Sequence, residues 1–408
     1  MSTHTKYDVV IVGGGHAGAA LATSLRQRDF AGSILLIGEE TTPPYERPPL
    51  SKDYLLGKTE KAQLLIRQDT YWNEKSIDLV LGYTAERLNH RQSTITLSDG
   101  QRINFDWCVL ATGGRAKQII CPGATLSGIH YLRNIVDVER IRFELMKIND
   151  VTVIGAGFIG LEFAAVARAL GKTVNVIEAQ DRILARVTSP VVSKFFEAQH
   201  REQGVQFYLN QGVSSFIGND HISATVLNDG THIPTQLAVC GIGIDAETTL
   251  AEKAGLECDR GVIVDESFRT AAPNVLAIGD CSRHPNIFAG GLWRLESVQH
   301  AQDSAAVAAE LILGEAIPYS HVPTFWSEQY DIRLQSAGLL GTDYDTVIRG
   351  PINGKKFSII YTRDGKVIAI DCVNSPRDFM AARKLIQNCA QTDQSQLADA
   401  SIPLRSLV

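Results

Sequence analysis

The sequence contains few cysteines, and no two of them stand close together. The total is odd, at seven, and no Cys-x-x-Cys pair occurs. This pattern indicates reduced, mostly buried thiols in a cytosolic protein, and it argues against a disulfide framework or a zinc site. It also argues against an electron relay through two adjacent thiols, and no metal site is expected. The cysteines are Cys108, Cys121, Cys240, Cys258, Cys281, Cys372 and Cys389.

Long apolar runs and a large excess of charge are also absent. No stretch of about 18 apolar residues occurs, and residues 1–6 are polar and lead directly into a predicted strand. We therefore expect neither a membrane span nor a signal peptide, and we expect a cytoplasmic location. The formal net charge of -6 at pH 7 does not favour binding to nucleic acid or to an anionic membrane.

The chain is long and has an ordinary globular composition. Of its 408 residues, 44% are hydrophobic and 21% are charged. A single hydrophobic core rarely grows to this size, so two or three domains are expected.

A glycine-rich turn near the start of the chain has the form Gly13-x-Gly15-x-x-Gly18. It lies between a predicted buried strand and an Ala- and Leu-rich helix. In a strand, turn and helix of this kind, the glycines allow a tight turn and let the backbone approach a pyrophosphate. Glu39 follows at the end of the next strand, where a carboxylate can accept hydrogen bonds from ribose hydroxyls. The segment is typical of a dinucleotide-binding site.

The same pattern returns as Gly155-x-Gly157-x-x-Gly160, with Glu178 at the end of the following strand. A carboxylate there binds free ribose hydroxyls and repels a 2′-phosphate, so the pattern favours NADH over NADPH. Two nearby arginines leave NADPH or dual use open, because an arginine can accommodate the phosphate. They are Arg182 and Arg186.

From about Tyr319 the sequence changes to short alternating runs. Asn-Gly at 353–354 and Asp-Gly at 364–365 are flanked by strand-like segments, which is a hairpin pattern. The sequence therefore predicts an α/β fold with two Rossmann-like dinucleotide-binding domains and a small α+β domain at the carboxy terminus.

Two further segments decide which nucleotide each fingerprint holds. Leu-Ala-Thr-Gly-Gly at 110–114 and Val-Leu-Ala-Ile-Gly-Asp at 275–280 look like the accessory motifs of flavoprotein reductases with two dinucleotide domains. Within that superfamily the whole chain resembles the ferredoxin reductase components of oxygenase systems, the family of putidaredoxin, biphenyl dioxygenase and rubredoxin reductases. The most specific marker is Tyr-Glu-Arg-Pro-Pro-Leu-Ser-Lys at 45–52. One departure is Val298, where several dioxygenase-linked members carry tryptophan.

The resemblance implies a glutathione-reductase-like arrangement with FAD bound tightly but not covalently and NADH as co-substrate. It implies an FAD domain formed by 1–115 and 247–318, an NAD domain at 116–246, and a carboxy-terminal domain at 319–408. The residues implied for FAD are Gly13, Gly15, Gly18, Glu39, Arg47, Lys52, Ala111, Thr112, Gly113, Asp280, Val298 and Trp326. The residues implied for NAD are Gly155, Gly157, Ile159, Gly160, Glu178, Arg186 and Gly243.

The resemblance also assigns the catalytic residues, Lys52 and Glu162. Lys52 is expected beside flavin N5, and Glu162 is expected to pair with it. From the residues alone, the alternatives are that Lys52 is a solvated loop lysine, Glu162 a helix-start acid and Trp326 a packed core aromatic.

By the same resemblance, hydride passes from NADH to FAD, and single electrons then pass to a [2Fe-2S] ferredoxin that feeds an aromatic-ring dioxygenase or a cytochrome P450. A basic face formed partly by Arg377, Arg383 and Lys384 could steer such an acidic partner. The protein is expected to be a monomer. Rubredoxin reductase, NADH oxidase and a redox-sensing flavoprotein of the apoptosis-inducing type stay open as alternatives.

Overall fold

The computed structural model describes residues 5–408, in which strands and helices alternate along the chain. The helices are α1 His16–Gln27, α2 Asp69–Glu74, α3 Ile135–Leu145, α4 Phe158–Ala169, α5 Pro190–Glu202, α6 Thr249–Lys253, α7 Val298–Ile312, α8 Pro376–Gln387 and α9 Gln394–Ala398. The strands of the first half are β1 Lys6–Val12, β2 Ile34–Gly38, β3 Ile77–Leu81, β4 Ala85–Asn89, β5 Thr94–Leu97, β6 Arg102–Leu110, β7 Gly114–Ala116, β8 Ile129–Tyr131, β9 Asp150–Ile154, β10 Thr173–Glu178 and β11 Val205–Leu209. The later strands are β12 Val213–Gly218, β13 Ile222–Leu227, β14 His232–Pro234, β15 Leu237–Cys240, β16 Ile244–Ala246, β17 Val262–Ile263, β18 Val275–Ala277, β19 Ser282–Asn286, β20 Gly291–Trp293, β21 Thr324–Gln329, β22 Ile332–Gly338, β23 Asp345–Arg349, β24 Phe357–Arg363 and β25 Lys366–Val373.

The first of two compact units contains residues 5–46, 64–115 and 245–325. Its main sheet has the order β3-β2-β1-β6, with β18 also paired to β6 and the antiparallel strands β5 and β4 extending from it. The pairs formed by β1, β2, β3, β6 and β18 are parallel. Parallel strands of this kind are covered on both faces, which explains the continuous apolar run in β1.

Strand register brings three loop starts of the first unit together. Val12 is paired with Leu110, and Leu110 is paired with Ala277. Because these strands run parallel, the segments that follow them leave the sheet at the same edge. Ligands of open α/β sheets bind at this carboxyl edge.

The second unit contains residues 47–63, 116–244 and 326–408. It has a parallel sheet of order β11-β10-β9-β15-β8, with α4 packed against β9 and β10. A separate antiparallel sheet is formed by β12, β13 and β14.

The carboxy-terminal part of the chain forms a sheet of order β21-β22-β25-β24-β23, against which α8 packs. The Asp364-Gly365 prediction is confirmed, since Arg363 pairs with Lys366 across a turn in which both central residues have positive φ. Such φ angles are those of a type I′ hairpin turn. Residues 353–354 also lie in a hairpin connection, but within a short 3-10 turn at Ile352–Gly354.

The predicted fold class is confirmed, including both Rossmann-like units and the α+β carboxy-terminal region. The three-domain division of the sequence stays a prediction. Among the helices of residues 5–408, none combines the length and apolar character needed to cross a membrane.

Candidate functional site

The two fingerprint turns are built in the same way. Gly13 has φ +123°, and a Cβ placed on it would lie 2.1 Å from the carbonyl oxygen of Ala111. Gly155 has φ +96°, and its Cβ would lie 2.5 Å from the carbonyl oxygen of Gly241. Any other residue would clash with a neighbouring backbone and be strained in φ as well. Each turn therefore packs against the loop after an adjacent strand.

The second glycine of each fingerprint stands directly before a helix. Gly15 is the N-cap of α1 and Gly157 is the N-cap of α4, and neither helix start has a side-chain cap. A Cβ on either glycine would meet no atom within 4 Å. Each loop therefore leaves room for a ligand beside helix-start amides, the arrangement that suits a pyrophosphate. The residues present fit the two dinucleotides.

The acidic partners of the two fingerprints are held differently. Glu39 lies just after β2, with its side chain 59% exposed, and its Oε2 accepts a hydrogen bond of 3.1 Å from Arg115 Nη2. Glu178 ends β10 and accepts hydrogen bonds from two backbone amides, from Ala156 N to Oε2 at 2.7 Å and from Gln180 N to Oε1 at 2.9 Å. Ala156 lies inside the second fingerprint, so Glu178 is hydrogen-bonded to the backbone of the fingerprint loop itself. A carboxylate has about four acceptor positions, which leaves capacity for ribose hydroxyls.

The other predicted FAD residues of the first unit cluster at the carboxyl edge of its sheet. Ala111 N donates to Val12 O at 2.8 Å, and Thr112 Oγ1 donates to Glu247 O at 2.6 Å. Gly113, with φ +66°, accepts through its carbonyl from Glu247 N.

Asp280 and Val298 reach this edge from later in the chain. Asp280 lies in a 3-10 turn, Gly279–Cys281, directly after β18. A Cβ on Gly279 would lie 2.9 Å from the Ala17 side chain in the first turn of α1. Val298 is the first residue of α7, where it is partly buried. The same Cβ on Gly279 would lie 3.9 Å from Ala301 of α7, so the turn and the first part of α7 lie at the same edge as the fingerprint.

The predicted NAD residues lie in the second unit. Gly160 lies in the first turn of α4, and Ile159 beside it is 42% exposed. Gly243 has φ +105°, and a Cβ on it would lie 3.8 Å from Arg186 Nη2. These residues follow β9 and β15, which are neighbours in the parallel sheet.

The two arginines that left NADPH open differ in their surroundings. Arg182 donates to Thr188 O at 2.9 Å, Ser193 Oγ at 2.6 Å and Ala185 O at 2.9 Å, so its guanidinium is used inside the loop. Arg186 is exposed. Of the pair, Arg186 is therefore the one that leaves NADPH or dual use open.

Lys52 and Glu162 come together in the second unit, as the family resemblance implied. Lys52 Nζ lies 3.1 Å from Glu162 Oε1, and the side chains are 16% and 6% exposed. Two serines that sequence reasoning missed also bind this carboxylate. Ser51 Oγ donates to Oε2 at 2.6 Å, and Ser327 Oγ donates to Oε1 at 2.7 Å. A buried carboxylate is tolerated when it is paired and hydrogen-bonded in this way.

The remaining predicted FAD residues, Arg47 and Trp326, also belong to the second unit. Arg47 Nη1 donates to Arg133 O at 2.7 Å, and Trp326 is a half-buried residue of β21. Their role toward the flavin stays a prediction.

All seven cysteines lie among the described residues, and all are free thiols. Burial raises the pKa of Cys108 and that of Cys240 to about 12, so neither is a thiolate at neutral pH. Thiolate, not thiol, is the reactive form. Neither of these two thiols is therefore in the reactive form at neutral pH.

Comparisons with known proteins agree with this arrangement. Residues 7–305 match the family described as pyridine nucleotide-disulphide oxidoreductase, and residues 324–408 match the family described as reductase C-terminal. The chain belongs to the pyridine nucleotide-disulphide oxidoreductase family. The resemblance read from the sequence is thereby confirmed, and the protein is a flavoprotein reductase that uses FAD and a nicotinamide dinucleotide.

Individual relatives align over nearly their full lengths. A ferredoxin–NAD(P)+ reductase of a Sphingomonas species is 43% identical over 100% of this chain and 99% of its own. The crystal structure of the ferredoxin reductase for the CYP199A2 system from Rhodopseudomonas palustris has a TM-score of 0.95 at 37% identity, covering 98% of this chain and 99% of that one. The matching chain in the crystal structure of the covalent putidaredoxin reductase–putidaredoxin complex has a TM-score of 0.95 at 35% identity. The match covers 100% of this chain and 98% of that one.

Proposed function

We propose that this reductase oxidises NADH and delivers single electrons to a small [2Fe-2S] ferredoxin that serves an aromatic-ring dioxygenase or a cytochrome P450. The observation that carries the proposal is the pair of fingerprint loops, each with room beside a helix start that has no side-chain cap. The relatives named above as ferredoxin reductases, and the reductase solved in covalent complex with putidaredoxin, support the choice of acceptor.

We assign the nucleotides as the family resemblance implies. The amides that follow Gly15 would hold the FAD pyrophosphate and those that follow Gly157 the pyrophosphate of NADH, since helix-start amides favour negative charge. Glu178 would accept the ribose hydroxyls of NADH and disfavour a 2′-phosphate. Glu39 would serve the FAD ribose in the same way.

We assign Lys52 to flavin N5, with Glu162 holding its ammonium in place. When bound, FAD supplies the hydride-accepting and one-electron chemistry. A fixed cation beside it favours the electron-rich reduced form, and the carboxylate keeps that cation from moving into solvent.

Stopped-flow mixing of the purified protein with NADH tests the first half of the proposal. We expect rapid bleaching of the flavin absorbance. A panel of plant-type ferredoxin, Rieske-type ferredoxin and rubredoxin as acceptors tests the second half, with cytochrome c reduction as readout. Turnover with rubredoxin alone, or equal turnover without any acceptor protein, would reject the [2Fe-2S] assignment.

A basic face of α8 supports recognition of an acidic ferredoxin. Arg377 and Lys384 are exposed, and the Arg383 guanidinium lies 5.9 Å from the Phe379 ring centroid. Complementary charge raises the rate of encounter, and salt screens this effect.

The double variant Arg377→Glu/Lys384→Glu tests this face. We expect the second-order rate of ferredoxin reduction at low salt to fall about tenfold, and its dependence on salt to flatten. The matched control is Arg87→Glu/Arg91→Glu, which makes the same charge change on exposed residues of the β4–β5 hairpin. Equal effects of the two double variants would argue against α8 as the docking element.

We further propose that the protein works as a monomer in the cytoplasm. Seven free cysteines are in keeping with a reducing compartment. Light scattering of the purified holoprotein and fractionation of the cells that produce it would test the two statements separately.

A further inference from the structure

Glu162 receives hydrogen bonds on both of its oxygens. Besides the Lys52 ammonium, the hydroxyls of Ser51 and Ser327 donate to it. Ser51 directly precedes Lys52 and ends the short 3-10 helix Pro48–Ser51, whereas Ser327 comes from β21. The carboxylate that holds Lys52 is thus itself held by a strand from a distant part of the sequence.

Ser327 is the end of a longer chain of buried hydrogen bonds. Gln329 Nε2 donates to Ser327 Oγ at 3.1 Å, and Gln329 Oε1 lies 2.8 Å from His200 Nε2. The Tyr330 hydroxyl lies 2.9 Å from His200 Nδ1. His200, Gln329, Ser327 and Glu162 are all at most 5% exposed.

The chain has one possible direction. An amide oxygen only accepts, so His200 Nε2 carries a proton and donates to Gln329. Burial lowers the pKa of His200 to about 4, so the ring is neutral at pH 7 and its Nδ1 accepts from Tyr330. Burial also raises the pKa of Tyr330, which keeps its hydroxyl a donor. Every donor therefore points toward Glu162.

Such a chain is costly unless each member is satisfied. Removing one link leaves a buried polar group without its partner, and hydrogen bonds in series polarise one another. Apolar residues would fill the same space more simply. Buried polar groups often do no more than satisfy one another's hydrogen bonds. This chain differs from them because all of its donors point toward the Glu162 carboxylate.

We propose that Ser327, Gln329 and His200 are positioning residues for the Lys52–Glu162 pair, acting as a one-way chain of hydrogen-bond donors that fixes the Glu162 carboxylate and, through it, the Lys52 ammonium. The inference rests on the assignment of Lys52 to the flavin under the proposed function. It adds three residues, from α5 and β21, to the group that sets how readily the flavin is reduced.

The test compares Ser327→Ala with Ser358→Ala in the holoprotein. Ser358 is a fully buried serine of β24 whose hydroxyl bonds Cys372 and Asp378, so its loss is a matched control. Three quantities are measured: the limiting rate of flavin reduction in single turnover with its half-saturating NADH concentration, the flavin midpoint potential from dithionite titration, and the thermal unfolding midpoint. Lys52→Met gives the full effect of losing the cation.

We expect Ser327→Ala to lower the limiting rate about tenfold, as for the loss of one hydrogen bond to a charged group. The half-saturating NADH concentration should not change. The midpoint potential should move to a more negative value, in the direction of Lys52→Met, and Ser327→Thr should restore both rate and potential. Ser358→Ala should change only the unfolding midpoint.

Gln329→Leu keeps the Ser327 hydroxyl but removes the Gln329 amide that donates a hydrogen bond to it. We expect a smaller effect of the same sign, and less than additive effects in the double variant, because the two residues act in one chain. This variant also decides the matter if Ser327→Ala does not fold. Rates and potentials equal to those of Ser358→Ala would overturn the inference. Because the dithionite titration needs no NADH, that result is distinct from a wild-type protein that NADH fails to reduce, which would reject the proposed function.

Discussion

The two fingerprint loops share their glycine spacing, yet the protein supports them in different ways. In the second unit, Glu178 accepts hydrogen bonds from Ala156 N within the loop and from Gln180 N just beyond the strand. In the first unit, Glu39 is paired with the exposed Arg115 side chain. One acid is fixed by backbone amides, and the other is paired with an exposed side chain.

Under the proposed assignment of FAD to the first loop and NADH to the second, this difference fits the different demands on the two nucleotides. A co-substrate binds and leaves in every cycle, and an acid that is already fixed lowers the ordering cost of each binding event. A prosthetic group binds once, so the ordering of its ribose partner is a single cost. The glycine pattern indicates where a pyrophosphate would bind. The hydrogen bonds of the acid indicate whether the partner of the ribose is already fixed before the nucleotide binds.

The largest effects are expected from substituting the first glycine of each fingerprint, because the two substitutions should impair different nucleotides. Gly13→Ala should yield protein without bound FAD, because the new Cβ would meet Ala111 O at 2.1 Å. Gly155→Ala should keep the flavin but raise the half-saturating NADH concentration at least about a hundredfold, since that Cβ would meet Gly241 O. The ratio of flavin to protein absorbance and stopped-flow reduction measure the two outcomes.

Gly291→Ala is the matched control, because a Cβ there meets no atom within 4 Å and the residue lacks a positive φ. This variant should retain bound FAD and should be reduced by NADH as the unsubstituted protein is. Loss of flavin from Gly155→Ala, with Gly291→Ala intact, would contradict the separation of the two nucleotide sites.

The units also differ in their buried histidines. In the second unit both ring nitrogens of His200 are hydrogen-bonded. In the first unit the rings of His284 and His300 stack at 4.9 Å, and His284 Nδ1 and His300 Nε2 are buried without a hydrogen-bond partner in the structure described. Burial lowers the pKa of His284 to about 4. Burial also holds the pKa of His300 well below its usual value, and the nearby His284 ring lowers it further.

We therefore expect the first unit to lose stability on acidification. The unfolded histidines bind protons below about pH 6.5 while the folded ones stay neutral, so stability is full above that pH and falls toward pH 4. For His284 alone the loss at pH 5 is about 2 kcal/mol. Urea unfolding followed by flavin release at pH 7 and pH 5 measures it. His284→Leu should flatten the pH dependence, and an unchanged pH dependence in that variant would refute the explanation.

Substitution of Glu178 tests the role of the acid that backbone amides fix. Glu178→Gln should lower the preference for NADH over NADPH about tenfold, measured as the ratio of kcat/KM values, because the charge that repels a 2′-phosphate is lost while Arg186 remains. Glu39→Gln makes the same change in the other unit and should leave this ratio unaltered. A change in the ratio with Glu39→Gln would mean that the nucleotides are assigned to the wrong loops.

Much of this arrangement could be predicted because its determinants are local. Gly13 and Gly155 need positive φ, and Glu39 and Glu178 stand at or just after the end of the strand that follows each fingerprint. Short segments of sequence are therefore sufficient to identify them. Ser327, Gln329 and His200 escaped prediction, since serine, glutamine and histidine have no pattern that identifies a partner in a distant segment. The expectation that Lys52 meets Glu162 came from family resemblance, not from spacing.

The engagement of Arg182 could not be read from the sequence for a related reason. Arg182 and Arg186 look equivalent along the chain, but the loop folds so that Arg182 satisfies the carbonyls of Ala185 and Thr188. Which arginine faces outward depends on backbone hydrogen bonding that composition does not specify.

The smallest expected effect concerns Arg115. Its side chain is 60% exposed and bonds both Glu39 and Glu247, and exposed ion pairs contribute about 0 to 1 kcal/mol. Arg115→Ala should therefore weaken FAD binding less than about threefold, measured by fluorescence titration of the apoprotein, and high salt should abolish even this difference. Arg102→Ala, a change at an exposed arginine of β6, serves as control. A loss of tenfold or more at low salt would mean that Arg115 fixes Glu39 as firmly as the loop amides fix Glu178, and the contrast between the two acids would then disappear.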